Sequence, residues 1–179
     1  MTIFHRAPAS LLASGAFILA LFSGAIAHAA SVNEPVMLVN VKTGKCLTIA
    51  GGESTANNID TVQFDCDNHP SRSWMLKEVG GNGNIYQIRN VRTGKCLTIA
   101  GGESSANNIH ALQFDCDSHP SRTWRINDIG GNGINQISNV HTGKCVTIAG
   151  GTLADNNIPG VQFDCDSDLS RRWTIRLKL

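Results

Sequence analysis

The sequence predicts an all-β domain built from three homologous units of four short strands each. Three observations carry this reading. A block of about fifty residues is written three times: residues 40–76 and 90–126 are identical at 28 of 37 positions, and a looser third copy spans 139–175. Turn residues punctuate every copy densely, and nothing after the N-terminal segment shows an uninterrupted helical period. A period of this length marks units that bury their cores against one another.

Each copy reads N-V-x-T-G-K-C-[LV]-T-I-A-G-G, then an Asn-Asn pair, then Q-F-D-C-D, then S-R-x-W. In the first copy, 36–39, 45–50, 61–65 and 74–77 are strand-like runs of alternating or apolar residues. Thr43-Gly44, the stretch from Gly51-Gly52 to Asn57-Asn58, and 68–71 stop them. Four strands in three copies give about twelve, in lobes at about 34–80, 84–130 and 134–179. A propeller also uses four strands per repeat, but its rings typically hold 4 to 8 blades. A threefold barrel capped by three hairpins fits the count and leaves no free sheet edge.

The N-terminal segment has another logic. His5 and Arg6 precede an uncharged apolar run over 11–26, and Ala27-His28-Ala29 follows with the small-x-small pattern of signal peptidase sites. Residues 1–29 are therefore expected to be a signal peptide cleaved near Ala29, which leaves 30–179 as one secreted, extracellular domain. The run is slightly short for a spanning helix and contains Ser14, Gly15, Ser23 and Gly24, so membrane insertion after cleavage is not expected.

Without Arg6, fourteen basic residues balance fourteen acidic ones. A nucleic-acid partner needs a basic surface that displaces counterions, and this balance argues against one. It argues equally against a polybasic membrane contact. The six cysteines occur as pairs twenty residues apart: Cys46 and Cys66, Cys96 and Cys116, Cys145 and Cys165. An even count in an exported chain reads as disulfides, with fifteen connectivities open in principle. The repeat favours the one that closes a bridge inside each copy. No C-x-x-C or H-x-x-x-H spacing supports zinc, and no metal or cofactor is expected.

Cys46, Cys66 and Trp74 recur in register as Cys96, Cys116, Trp124 and Cys145, Cys165, Trp173. This spacing resembles that of the ricin-B-type β-trefoil lectin domains, and the resemblance covers the whole mature part. It implies a β-trefoil of three lobes, an intradomain disulfide per lobe, core Trp residues and glycan or polysaccharide binding. Where that family ends each lobe in Gln-x-Trp, this chain has Arg72, Arg122 and Arg171 in place of the Gln, two residues before each Trp. The family's sugar-anchoring Asp, two residues after the first Cys, is here Thr48, Thr98 or Thr147, and the Asn before the Gln is Ser71, Ser121 or Ser170. A galactose site of the ricin type is thus not expected unchanged.

The same resemblance puts the stacking aromatic of a sugar site at Phe64, Phe114 and Phe163, two before the second Cys. Strand alternation puts Phe64 on the side of Val62 and Cys66, which suggests core instead. Further polar candidates are the Asn pairs, with Asn58, Asn108 and Asn157, together with Asp60 and His110. Asn tolerates the left-handed conformation, so these pairs also read simply as turns. The third copy has Pro159 where the others have Asp60 and His110, and Asp168 where they have His69 and His119, so lobe 3 is expected to differ.

Paired carboxylates flank each second Cys, as Asp65 and Asp67, Asp115 and Asp117, Asp164 and Asp166. Residues two apart in a strand share a face, so a catalytic dyad is conceivable. Three identical dyads around bridged cysteines fit structure better, with each Arg gripping a carboxylate across the turn, the alternative for Arg being to grip an acidic sugar or peptide. The chain is therefore not expected to be an enzyme. The function expected is carbohydrate binding by up to three weak, equivalent sites. The alternative is a protein-binding β-trefoil such as a protease inhibitor, since one fold hosts both.

Overall fold

The computed structural model describes residues 34–80 and 83–178. The expected signal peptide, 1–29, lies outside the described residues. Lobe 1 contains β1 (Val36–Asn40), β2 (Cys46–Ile49), β3 (Ile59–Phe64) and β4 (Trp74–Glu78). Lobe 2 repeats them as β5 (Ile85–Asn90), β6 (Cys96–Ile99), β7 (Ala111–Phe114) and β8 (Trp124–Asp128). Lobe 3 has β9 (Ile134–Asn139), β10 (Cys145–Ile148), β11 (Gly160–Phe163) and β12 (Trp173–Leu177). Before the last strand of each lobe lies one 3₁₀ turn: Pro70–Arg72, Pro120–Arg122 and Leu169–Arg171.

The first and last strands of the lobes pair antiparallel in a closed ring, β1–β4–β5–β8–β9–β12 and back to β1. Closure removes the free edges of this six-stranded barrel. The remaining strands form the hairpins β2–β3, β6–β7 and β10–β11. These cap one end and meet on the threefold axis through β3–β7 pairing and the bridges Val62–Pro159 and His110–Val161. The architecture is a β-trefoil.

The core is built in triplets, one residue per lobe. Leu38, Ile88 and Ile137 line the barrel, and Ile49, Ile99 and Ile148 close it beneath the cap. Trp74, Trp124 and Trp173 are fully buried. Their indole N–H groups donate to Leu47 O, Leu97 O and Val146 O, each at 2.9 Å, so no polar atom of these rings is left orphaned. Disulfides join Cys46–Cys66, Cys96–Cys116 and Cys145–Cys165, within each lobe as the repeat requires.

Polar contacts tie each lobe to the next. Alternation in β3 turns Thr61 and Gln63 inward, and both are fully buried. Gln113 Nε2 of lobe 2 donates to Ser54 O and Ala56 O of lobe 1. Gln162 of lobe 3 grips Ser104 O and Ala106 O of lobe 2, and Gln63 of lobe 1 grips Leu153 O and Asp155 O of lobe 3. The ring of lobes is closed by three copies of one side-chain staple.

Candidate functional site

Three equivalent pockets open on the flank of the molecule, each at the junction of a hairpin with its 3₁₀ turn. In lobe 1 the walls include Thr48, Gly52, Val62, Phe64 and Arg72, in lobe 2 Thr98, Gly102, Phe114 and Arg122, and in lobe 3 Thr147, Gly151, Val161, Phe163 and Arg171. Their volumes are about 160, 240 and 240 Å³. These lie below the roughly 300–1,000 Å³ of clefts that enclose drug-sized ligands, and suit one small polar ring.

No pocket belongs to a single lobe. Asn157 of lobe 3 completes the pocket of lobe 1, Asn58 of lobe 1 completes that of lobe 2, and Asn108 of lobe 2 completes that of lobe 3. Asn157, Asn58 and Asn108 have φ of +67°, +63° and +64°, the left-handed turn conformation their residue type tolerates. The backbone N–H of Asn157 donates to Gln63 O, that of Asn58 to Gln113 O and that of Asn108 to Gln162 O, each in the following lobe. The turn residue and the pocket-lining residue are the same one. The Thr, Phe and Asn candidates are therefore brought together, but across lobes rather than within each copy.

The preceding Asn in each pair clamps a carboxylate of the same neighbour. Asn57 Nδ2 donates to Asp115, Asn107 to Asp164 and Asn156 to Asp65. Lys45, Lys95 and Lys144 reach the other oxygen of the same carboxylates from within the lobe. The Asn bond first, and the Lys second, hold all three carboxyls below the ordinary Asp range. A depressed folded value contributes stability above the unfolded pKa of about 3.9 that is lost as pH falls through the lower folded value. Urea midpoints should hence be flat above about pH 5 and fall below about pH 4. In Asn57→Ala that acid loss should be smaller, and an unchanged acid loss would remove the clamp from the account.

The Phe residues correct the core expectation. Val62 and Phe64 do share a face, but it is the pocket face, and Cys66 is exposed. Phe64, Phe114 and Phe163 are half-buried, and a guanidinium lies over each ring, at 4.4, 4.4 and 4.3 Å from the centroid. Each pocket thus presents an Arg–Phe stack, not a bare ring. The same Arg residues meet the second Asp of each pair: Arg72 Nε–Asp67 at 3.2 Å, Arg122 Nη1–Asp117 at 3.2 Å and Arg171 Nε–Asp166 at 3.3 Å. Arg72 Nε is near enough to Asp67 for ionic attraction but out of line for a hydrogen bond. The expected turn lock therefore involves only the second carboxylate, while the first is taken by Lys and Asn, so the two do not act as a dyad.

Thr48, Thr98 and Thr147 line the pockets but are almost fully buried, with their hydroxyls within hydrogen-bond reach of both Ser71 O and Oγ and the equivalents in Ser121 and Ser170. They shape the floor. Asp60 and His110 lie outside the pockets: His110 Nδ1 meets Asp60 Oδ1 at 2.9 Å where the hairpins converge on the threefold axis. His69 and His119 instead accept from Ser71 N and Ser121 N as caps of the 3₁₀ turns, and Asp168 does the same in lobe 3. A wider cleft of about 820 Å³ between Met75, Arg89 and Asp115 is lined by Cys96 and Cys116 and contains none of the carbohydrate-binding candidates.

Sequence reasoning missed the buried Gln63, Gln113 and Gln162 and the glycine-lined wall at Gly52, Gly102 and Gly151. A Cβ on Gly102 would sit 3.1 Å from Ser121 Oγ at a φ of +74°, so the wall tolerates little else. The available signal was the unbroken identity of Gly-Gly and of the Gln before Phe in all three copies.

Comparison with known proteins bears on the fold and the family. No curated protein is a significant match. The fold resembles ThreeFoil, a designed threefold-symmetric protein, with TM-score 0.74, 19% identity and coverage of 81% of this chain and 99% of that one. It resembles part of an exo-β-1,3-galactanase from Clostridium thermocellum, with TM-score 0.75 and 26% identity over 82% of this chain and 30% of that chain. The chain thus spans under a third of the galactanase. A ricin B-like lectin of Macrolepiota procera, solved with lactose, is similar at TM-score 0.68, with 17% identity over 83% and 98% of the two chains. The model of the ricin-type beta-trefoil lectin domain-like family matches residues 27–109 and 74–159, and the chain belongs to that family.

Proposed function

We propose that the protein is a secreted carbohydrate-binding protein with one weak glycan site in each of its three interlobe pockets. The observation that carries this reading is the threefold recurrence of a small pocket lined by an Arg–Phe stack, a left-handed Asn and a glycine wall. Planar Arg donors and Asn amides are suited to sugar hydroxyls, while the ring backs the guanidinium and excludes water. Membership of a lectin-like family supports the same class, and the Macrolepiota lectin was solved with lactose. Three disulfides fit an oxidising compartment and so support export.

Shallow sites bind weakly one at a time. Three on one rigid body can raise avidity by about 10²–10⁴ on a polyvalent surface. The test is a glycan and polysaccharide array probed with the labelled, oxidised protein. Retention that free sugar competes away is expected, and Phe114→Ala should weaken it about tenfold at the lobe 2 site, equivalent to about 1.4 kcal/mol. An array left blank by protein with intact fold and disulfides would overturn the proposal.

A further inference from the structure

We propose that the pockets of lobes 1 and 2 select sugars bearing an anionic group, and that lobe 3 is closed to them by its own carboxylate, Asp168. This rests on the glycan-binding reading and adds the charge class of the ligand. The walls of the lobe 1 pocket contain one charged side chain, Arg72, and those of lobe 2 contain Arg122 beside His119. Neither wall contains a carboxylate. The lobe 3 wall contains both Arg171 and Asp168.

The guanidinium has donors to spare in lobe 1. Arg72 uses Nη1 on Ser71 Oγ at 3.0 Å and directs Nε toward Asp67, and among the described residues no acceptor meets Nη2. Asp67 is half-exposed and absent from the pocket wall, so it attracts the guanidinium without filling the cavity. Five N–H groups in a planar fork can serve two anions on different edges. The ring of Phe64 lies under the guanidinium, which favours a ligand that meets the cation rather than one that lays an apolar face on a free ring.

Lobe 3 differs in having a carboxylate in the pocket wall. Arg171 Nη1 lies 3.4 Å from Asp168 Oδ1 while Nε lies 3.3 Å from Asp166, so two carboxylates face one guanidinium. Glu53 and Glu103 lie behind the capping residues of lobes 1 and 2, on Nε2 of His69 and His119, and neither lines a pocket, whereas Asp168 lines the lobe 3 pocket itself. Asp168 stands where an anionic ligand would approach, and it repels one. The same capping bond to the 3₁₀ turn is made by His in lobes 1 and 2, so Asp168→His is compatible with the local backbone.

The test uses paired probes that differ only in charge: oligogalacturonate against its methyl ester, and a sulfated galactan against its desulfated form. Calorimetry with the oxidised protein should give at least tenfold tighter binding to the charged member of one pair, with two sites per chain, and the preference should decline with salt. The pair that responds identifies the anion as carboxylate or sulfate. Asp168→His should raise the stoichiometry from two to three, and Arg72→Gln with Arg122→Gln should abolish the charge preference. If the double variant does not fold, Asp168→His decides alone. Equal binding of charged and neutral probes, or three sites in the unaltered chain, would overturn this inference and leave glycan binding intact. No binding to any glycan would overturn both.

Discussion

Gln113→Ala is expected to destabilise the molecule by about 3–5 kcal/mol and to cost the lobe 2 pocket its shape. Gln113 is fully buried, and its Nε2 donates to Ser54 O at 2.7 Å and Ala56 O at 2.6 Å. Truncation leaves two carbonyls of lobe 1 without a partner at about 1–3 kcal/mol each, and adds a cavity. For a domain of this size the melting temperature should fall by roughly 2–4 °C per kcal/mol, or about 10 °C in all. The loop thus released carries Asn58, whose N–H donates to Gln113 O and whose side chain lines the lobe 2 pocket. Scanning calorimetry and sugar titration on one preparation would check both effects. A drop of under about 3 °C would mean that the staple is not needed. Gln162→Ala should cost more than Gln113→Ala, because Gln162 Oε1 also accepts from Thr142 at 2.8 Å while Gln113 Oε1 has no protein partner.

Trp124→Ala is expected to cost about 3–5 kcal/mol, the range for deleting a large buried aromatic ring. The ring is fully buried, and its N–H is the bond that satisfies Leu97 O at 2.9 Å. Trp124→Phe keeps most of the volume and loses that bond, so it should cost clearly less than Ala. The change should shift urea midpoints by similar amounts at Trp74, Trp124 and Trp173, since each makes the same bond in its own lobe. Unequal shifts would show that the lobes do not share the core equally. Opening one bridge, as Cys96→Ser with Cys116→Ser, should cost roughly 3 kcal/mol for a loop of twenty residues. The lobes would then rank by core first and covalent closure second.

Most of the fold was legible in the residues. Alternation and turn chemistry located the four strands of the first copy to within a few residues, and the repeat extended them to about twelve, because each strand is short and bounded by turn residues. The Asn pairs were legible as left-handed turns for the same local reason. The Phe residues were not, because alternation says which side chains share a face but not what covers that face. In β3 the buried side turned out to be polar, with Thr61 bonded to Ala111 O and Gln63 to lobe 3. Asp60 and His110 read as site candidates from their place beside the Asn pair, yet they are spent on each other at the threefold axis.

The repeat, the strand count, the disulfide pairing that the symmetry favours and the three Trp anchors could all be read along the chain. All of these rest on interactions inside one copy or on identities between copies, which are readable along the chain. Only the tertiary structure decided that each pocket is shared, with Asn157, Asn58 and Asn108 serving the lobe that follows theirs in the ring. Three near-equal copies offer the same partners to a residue in its own lobe and in either neighbour. Closing the barrel brings each hairpin loop against the Gln of one neighbour alone, and that contact selects the partner.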